Sequence, residues 1–265
     1  MILDFHTHGK LAKKLPFSTE YTDWLFQEAR SAGLDALCLT EHFNTLQFVD
    51  LYGYLAQSSE REGDALVLDN GLRVFPGMET DIAECGHILS IGPLEAILEL
   101  NERLEPHKEK EGFLPFARLM DLFDEYPVLV GCAHPFRAPG RVPEQPLEQL
   151  RRLSFLDLNG KDMAVDRERT ERLTYRLGGA LGIPVVAGSD THQAVQYGCI
   201  ATVFHDSFST IAEMRAAMDV GAYDIALADD VNYRVKTATL LKRTLKEIHA
   251  LGGDYVSALC AQGAS

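Results

Sequence analysis

The sequence predicts an α/β protein whose alternating strands and helices fit a closed or distorted barrel of the TIM-like kind. Three observations lead there. Short apolar, β-rich runs alternate with stretches of helical periodicity along all 265 residues, which is the pattern of strands joined by crossover helices. The runs are nearly continuous in apolar side chains, as in parallel strands covered on both faces. Seven or eight such units fit a closed or distorted barrel better than an open sheet.

The elements follow in order. "ILDF" (2–5) opens the chain as the first strand, and helical spacing of apolar residues follows at 21–32. "ALCLT" (36–40) is the second strand, "LRVFPG" (72–77) the third, and "HILSIG" (87–92) the next, leading into a helix over 93–104. The segment "NERLEPHKEKEG" (101–112) is the most polar in the chain and is an exposed loop or a frayed helix end. A helix over 115–125 precedes the strand "PVLVGCA" (127–133). "FLDLN" (155–159), a helix over 166–181, "PVVAGS" (184–189), "IATVF" (200–204) and a helix over 209–219 complete the alternation. Residues 1–222 are expected to form the barrel. A C-terminal helical extension over 223–265, with its main helix near 231–251, is expected to pack on the same domain.

Composition narrows the function. Hydrophobic residues make up 46% and charged residues 24%, which is ordinary for a globular chain with a sizeable core. No apolar run reaches the roughly 18 residues needed to span a bilayer, and the N-terminus lacks the layout of a secretory signal. The five cysteines are scattered, without a C-x-x-C pair, and suit a reducing compartment, so a cytoplasmic location is expected. The formal net charge of −14 repels nucleic-acid backbones and anionic membranes, so neither tracking along nucleic acid nor membrane binding is expected. A small anionic substrate would need local positive charge, which metal ions can supply.

The histidines and carboxylates recur at one place in the pattern. "DFHTHG" puts His6 and His8 at the end of the first strand, two residues apart and therefore on one face. Taken alone, such a pair is either a metal grip or two solvated side chains near a terminus. "LTEHF" adds Glu41 and His42, "PGMET" adds Glu79, "GHILSIG" opens on His87, "CAHPF" ends on His134, and "AGSDTH" carries Asp190 and His192. The C-terminal strand ends of a β/α barrel converge on one face. Six of the nine histidines therefore gather there with carboxylates, leaving His107, His205 and His249 as incidental. Imidazole with carboxylate suits Zn, Mn or Fe, and the number of candidates exceeds what one tetrahedral ion uses, implying two or three divalent ions sharing a bridging carboxylate. Closely spaced metals clamp the attacking and leaving oxygens of an in-line displacement.

With these residues in view, the sequence resembles the PHP (polymerase and histidinol phosphatase) domain family. The matching segments are "FHTHG", "LTEHF", "PGMET", "GHILSIG", "CAHPF", "LDLNG" and "AGSDTHQ", in order across roughly residues 1–222. The resemblance implies a distorted seven-stranded barrel with up to three metals at its mouth, usually hydrolysing phosphoesters. It implies that His6, His8, Glu79 and Asp190 hold one metal, that Glu79 bridges to a second held with His87 and His134, and that His42 and His192 hold a third. Two departures stand out. Where the family carries "SDG", whose aspartate helps hold the third metal, this chain reads "GKLAKKLPFSTEY", so either Glu20 substitutes or the third position is altered. Glu41 stands where the family has aspartate.

The expected reaction is hydrolysis of a small phosphate ester by a metal-bridging hydroxide. Arg137, in "HPFRAPGR", is the candidate phosphate clamp, because guanidinium matches phosphate geometry, and Lys161 is a second candidate cation at the reacting group. Lys14, in the lysine-rich stretch with Lys10 and Lys13, and Asn159 are candidate substrate contacts. Surface ion pairs are the alternative for all of them. Two other classes compete. An amidohydrolase also starts with H-x-H but typically has a metal-bridging lysine, for which no clear counterpart occurs. A non-catalytic, metal-binding regulatory module would bind metal without turnover. No G-x-S-x-G elbow, P-loop or dinucleotide fingerprint is present.

Overall fold

The computed structural model describes residues 1–260. In chain order the elements are β1 (Ile2–Thr7), α1 (Thr19–Ser31), β2 (Ala36–Leu39), α2 (Phe48–Gln57), β3 (Ser59–Glu62), β4 (Ala65–Leu68), β5 (Arg73–Asp81) and β6 (His87–Ile91). Then come α3 (Leu94–Arg103), α4 (Phe116–Phe123), β7 (Leu129–Cys132), α5 (Leu147–Leu150), β8 (Phe155–Asn159), α6 (Gly160–Val165), α7 (Arg167–Leu181) and β9 (Val185–Gly188). The chain continues through β10 (Ile200–Phe204), α8 (Ile211–Asp219), β11 (Tyr223–Leu227), α9 (Val231–Ala250) and α10 (Tyr255–Cys260).

The strands β1, β2, β5, β6, β7, β8 and β9 lie side by side in that order and curve into a nearly closed barrel. Closure comes where β9 ends. Thr191 bridges Thr7 in parallel, Asp190 N–H donates to the His6 carbonyl (2.7 Å) and His8 N–H donates to the Thr191 carbonyl (3.1 Å). The N-terminal half of β1 instead pairs with β10, which carries β11 beyond it, both antiparallel. The hairpin of β3 and β4 extends the β5 edge. Within the barrel only β6 runs antiparallel to its neighbours. Its first residue, His87, therefore sits at the end where the other strands finish, so a histidine that opens a strand joins histidines that close theirs.

Two apolar layers hold this arrangement. Leu3, Phe5, Phe75, Leu89, Phe155 and Val186 fill the lower barrel and continue into Met214 and Met218 of α8. A larger layer lies between the strands and the outer helices, where Leu37, Leu39, Leu156 and Leu158 meet residues such as Leu25, Leu51 and Leu181. Phe155 and Asp157 share the inner face of β8 by the two-residue period. Phe5 packs against Phe155 with its ring tilted (centroids 5.5 Å, 57°), yet the next residue, His6, reaches Asp157 (3.0 Å). Consecutive residues touch one face because the register of β1 against β2 shifts between Asp4 and Thr7, an irregularity of the kind that re-aims side chains beside active sites. Gly188 is required opposite it: a Cβ there would lie 2.4 Å from the His6 Cβ.

Several elements differ from the sequence expectation. α2, the β3–β4 hairpin, α5 and α6 fall in stretches to which the sequence reading assigns no element. β11 occupies residues 223–227, at the start of what was read as a helical extension, and it pairs along its length with β10. Its alternation of half-buried Tyr223, Ile225 and Leu227 with exposed Asp224 and Ala226 is a period of two, not of a helix. Among the described residues, no helix is long and apolar enough to cross a membrane.

Candidate metal centre

At the barrel mouth three groups of side chains bring one ligand atom each to within 4.8 Å of one another: His6, His8 and Asp190; Glu79, His87 and His134; and His8, His42 and His192. Glu79, at the end of β5, is the hub. Its Oε1 lies 2.8 Å from His87 Nδ1, 3.2 Å from His134 Nε2 and 3.5 Å from His6 Nε2. Its Oε2 lies 2.9 Å from His42 Nδ1 and 3.5 Å from His8 Nε2. Asp190 Oδ1 is a further 3.5 Å from His8 Nε2. His134 and Asp190 both sit at positive φ (30° and 55°), backbone strain of the sort that the surrounding structure sustains at functional sites.

The residues fit divalent ions on two observations. His6 Nε2, both ring nitrogens of His8 and of His192, His42 Nδ1 and Glu79 Oε2 are buried without a hydrogen-bond partner among the described residues. Each such buried polar atom left alone costs about 1–3 kcal/mol, so a cluster of them is unfavourable unless a ligand engages it. Second, zinc–nitrogen bonds of about 2.0–2.1 Å in a tetrahedron set ligand atoms about 3.3 Å apart. The 3.2–3.5 Å separations among His6, His8, Glu79, His134 and Asp190 match that spacing.

Further carboxylates orient the imidazoles. Asp157, fully buried on β8, meets His6 Nδ1 at 3.0 Å, and the same oxygen accepts from His134 N–H (3.3 Å) and Asn159 Nδ2 (2.8 Å). This turns the free Nε2 of His6 towards Glu79. Asp81 does the same for His87 through Nε2 (3.0 Å). Glu41 accepts from the Gly9 and His42 backbone N–H groups and lies 3.7 Å from His8 Nδ1.

The electrostatics are those of a buried, mutually balanced set. Burial opposes ionisation of Glu79, but the surrounding imidazoles, His87 foremost, hold it well below the usual carboxylate range. Burial likewise opposes the charge on Asp190, and Lys161, His8, His6 and Arg137 together outweigh it. His87 is pulled down by burial yet ends at about 10 because Glu79 and Asp81 favour its cation. Burial keeps His192 and His42 neutral, the form in which imidazole ligates.

The other expected residues divide. Arg137 and Lys161 reach the cluster: Arg137 donates to Asp190 Oδ2 (2.7 Å), Asp162 (2.8 Å) and Asn159 (2.6 Å), and Lys161 Nζ lies 2.8 Å from Asp190 Oδ1. Asn159 is engaged at both ends of its amide, by Asp157 and by Arg137. Glu20 is not brought to the site. It is exposed on the first turn of α1, where it accepts from Ser18 and Thr19 and suits the positive end of the helix dipole. The neighbouring Tyr21 faces inward instead, its hydroxyl donating to the His192 carbonyl (2.5 Å). Lys14 is exposed as well. Lys13 lines the cavity beside His87 and reaches Asp81 (3.4 Å), whereas Lys10 is buried on Thr45 and the Leu46 carbonyl. The sequence reading passed over Asp157, Asp81 and Lys242. Lys242, on α9, shares a cavity of about 270 Å³ with Lys161 and His192, and burial, helped by Lys161, pushes it down to about 8. Asp157 could have been found, since it stands two residues before Asn159 and so shares its inward face.

No protein-family model and no curated protein matches the sequence significantly. Solved structures do match. PsfC from Pseudomonas syringae PB-5123 is 19% identical, with a TM-score of 0.75 over 92% of this chain and 98% of that one. The lesion-specific endonuclease PfuEndoQ from Pyrococcus furiosus is 18% identical, with a TM-score of 0.60 over 84% of this chain and only 57% of that one. An endonuclease Q in complex with a 27-mer duplex carrying an abasic lesion matches to the same degree, with a TM-score of 0.59. At these identities the likenesses show a shared fold.

Proposed function

We propose that the protein is a metal-dependent hydrolase of the PHP kind that cleaves a small phosphate ester. The observation that carries the reading is the position of Glu79, whose two oxygens face five imidazoles from four strands or strand ends at 2.8–3.5 Å, with Arg137 and Lys161 on the adjoining Asp190. His6, His8, Glu79 and Asp190 would hold one divalent ion and Glu79, His87 and His134 a second, with His42 and His192 available to a third. Bound there, such ions supply a nucleophile at neutral pH and neutralise charge on phosphoryl oxygens.

The chain's own residues do the rest. Asp157 and Asp81 fix the tautomers of His6 and His87. Arg137 presents a planar, multiply bonded guanidinium beside the ligand set, suited to two phosphoryl oxygens at once. Lys161 adds a point charge on the other side of Asp190. These cations meet the developing negative charge without reorganising, which is where fixed charges stabilise a transition state most. Lys13, at the cavity wall with Asp81, is the lysine of its stretch that could protonate a leaving oxygen.

The endonuclease Q likeness raises nucleic acid as a substrate, but a net charge of −14 disfavours binding to a polyanion, so a small ester is the better fit. The test is elemental analysis of the purified protein together with p-nitrophenyl phosphate turnover on the same sample. Two or three transition-metal ions per chain with chelator-sensitive turnover are expected. Metal without turnover of any phosphate ester would favour a binding module, amide cleavage instead would favour an amidohydrolase, and a protein unable to take up Zn or Mn would overturn the reading.

A further inference from the structure

Beside the centre lies a cavity of about 440 Å³ that the reaction, as described, leaves without a task. His87 and His134 form one wall of it, and Arg137 stands where it meets the phosphate-binding cations. The remaining walls are largely apolar, drawn from Ile82, Phe113, Ala133, Pro135, Pro139 and Val142. Phe113 is held in place edge-on against Phe43 (centroids 5.9 Å, 61°), so this wall is a packed surface and not a loose side chain. Lys13 and Lys110 stand at its border with Arg137. In a chain of net charge −14 this cationic border is a local exception, of the kind that draws an anion to one opening.

We infer that this cavity seats the alcohol part of the substrate, and that it selects a phosphate ester of an aromatic or otherwise apolar ring over a sugar or polyol phosphate. The inference rests on the phosphoesterase reading for the phosphate end only. A phosphoryl group held by Arg137 next to His87 and His134 has this cavity as its neighbour. A cavity of this size exceeds the roughly 150 Å³ that accommodates benzene and falls in the range of small-molecule sites. Of the polar groups that line it, Asp81 is already engaged by His87 (3.0 Å) and Lys13 (3.4 Å), and His87 by Glu79 (2.8 Å). Sugar hydroxyls would lose water there without gaining partners, whereas a ring would bury its faces against proline, valine and phenylalanine.

The cavity carries its own reporter. Cys85 is exposed and lines it, while Cys38, Cys132 and Cys199 are buried and Cys260 is half-buried. The experiment is the alkylation rate of Cys85 in the metal-loaded protein, read by mass spectrometry of its peptide. It is measured with no addition, with 2-phenylethylphosphonate and with methylphosphonate, both of which resist hydrolysis. The phenylethyl compound should slow alkylation about tenfold or more at a concentration where methylphosphonate changes it less than about twofold, which corresponds to about a tenfold difference in Kd. In parallel, kcat/KM for 2-phenylethyl phosphate should exceed that for glycerol 1-phosphate by about tenfold or more, the two alcohols being alike in leaving ability. Equal protection by both phosphonates, or by neither, overturns the inference. Selective protection without hydrolysis of either ester would keep the cavity's role and sink the phosphoesterase reading. Hydrolysis of both esters at equal efficiency without selective protection would do the reverse.

Discussion

Replacing Asp157 with asparagine tests how the centre is aimed. The carboxylate is fully buried, and its Oδ2 receives three groups: His6 Nδ1 at 3.0 Å, His134 N–H at 3.3 Å and Asn159 Nδ2 at 2.8 Å. Asparagine keeps the shape and one carbonyl acceptor but removes the charge. Hydrogen bonds to a charged group contribute about 1.5–3 kcal/mol against about 1 for neutral pairs, so the His6 bond alone weakens by roughly 1 kcal/mol. The amide can also turn its NH2 towards His6 and favour the wrong tautomer, placing a proton on the Nε2 that faces Glu79. Together these predict a loss of metal affinity of about 10–100-fold, the range found for partners of ligating histidines, which corresponds to about 1.4–2.7 kcal/mol. Folding should change little, because a neutral amide is cheaper to bury than a carboxylate. Competition against a chromogenic chelator gives the affinity, and far-UV circular dichroism with thermal melting checks the fold. A folded Asp157→Asn protein that binds its ions within about twofold of the parent would refute the idea that this carboxylate orients His6.

Four other outcomes are expected. Glu79→Gln should lower bound metal by at least one ion per chain in elemental analysis, because the charge is removed and one of the two oxygens that face the surrounding imidazoles becomes an NH2 that cannot ligate. Ion loading at about a hundredfold excess over Kd should raise the melting temperature by roughly 5–10 °C per ion, readable by calorimetry with and without chelator; no shift would contradict a native metal centre. Arg137→Lys should reduce kcat/KM for phosphate esters by about 100-fold, since a lysine cannot reproduce the three bonds to Asp190, Asp162 and Asn159. Asp4 gives a pH signature in the chelated protein. Burial raises its pKa from 3.8 to about 7, so between those values the unfolded chain has released a proton that the folded chain retains, and stability must fall as pH rises through that window. Asp4→Asn, which still accepts from His6 N–H and Ser189 N–H, should flatten that loss, which reaches at most about 1.4 kcal/mol per pH unit; the same change in unfolding free energy between pH 5 and pH 7 in both proteins would contradict it.

The sequence made the strands and the ligand set legible for one physical reason. Covered parallel strands are mostly apolar along their length, so histidines and acids gathered at the ends of apolar runs stand out, as His6, His134 and Asp190 do, whereas the lone acids Asp4 and Asp157 inside strands do not. What it hid depends on direction and distance. Nothing local to "GHILSIG" says that β6 runs backwards, yet that reversal brings His87 to the mouth. The hairpin strand β3, "SERE", is polar and mostly exposed, so it carries no apolar signal at all. Helix α2 starts from a left-handed Gln47 without a side-chain cap, and its start signal is therefore missing. Glu20 sits in the place in the sequence where a ligand was sought, but its side chain points out while Tyr21 points in, a choice set by which face of α1 packs. Lys242 belongs to a helix whose docking only the tertiary fold decides.

The seam between Thr7 and Thr191 also orders events in time. Of the ligand set His6 and His8 are synthesised first, and Asp190 and His192 follow only after the intervening strands and helices, an interval of roughly 10–40 s at ordinary synthesis rates. Until then the end of β1 has an open edge, and its imidazoles face an incomplete partner set. An ion caught early would be held by a fraction of its ligands and would exchange freely. The groups that need Asp190 or His192 are thus completed last, after the Glu79, His87 and His134 group, so any ion they hold would settle only once the barrel has closed.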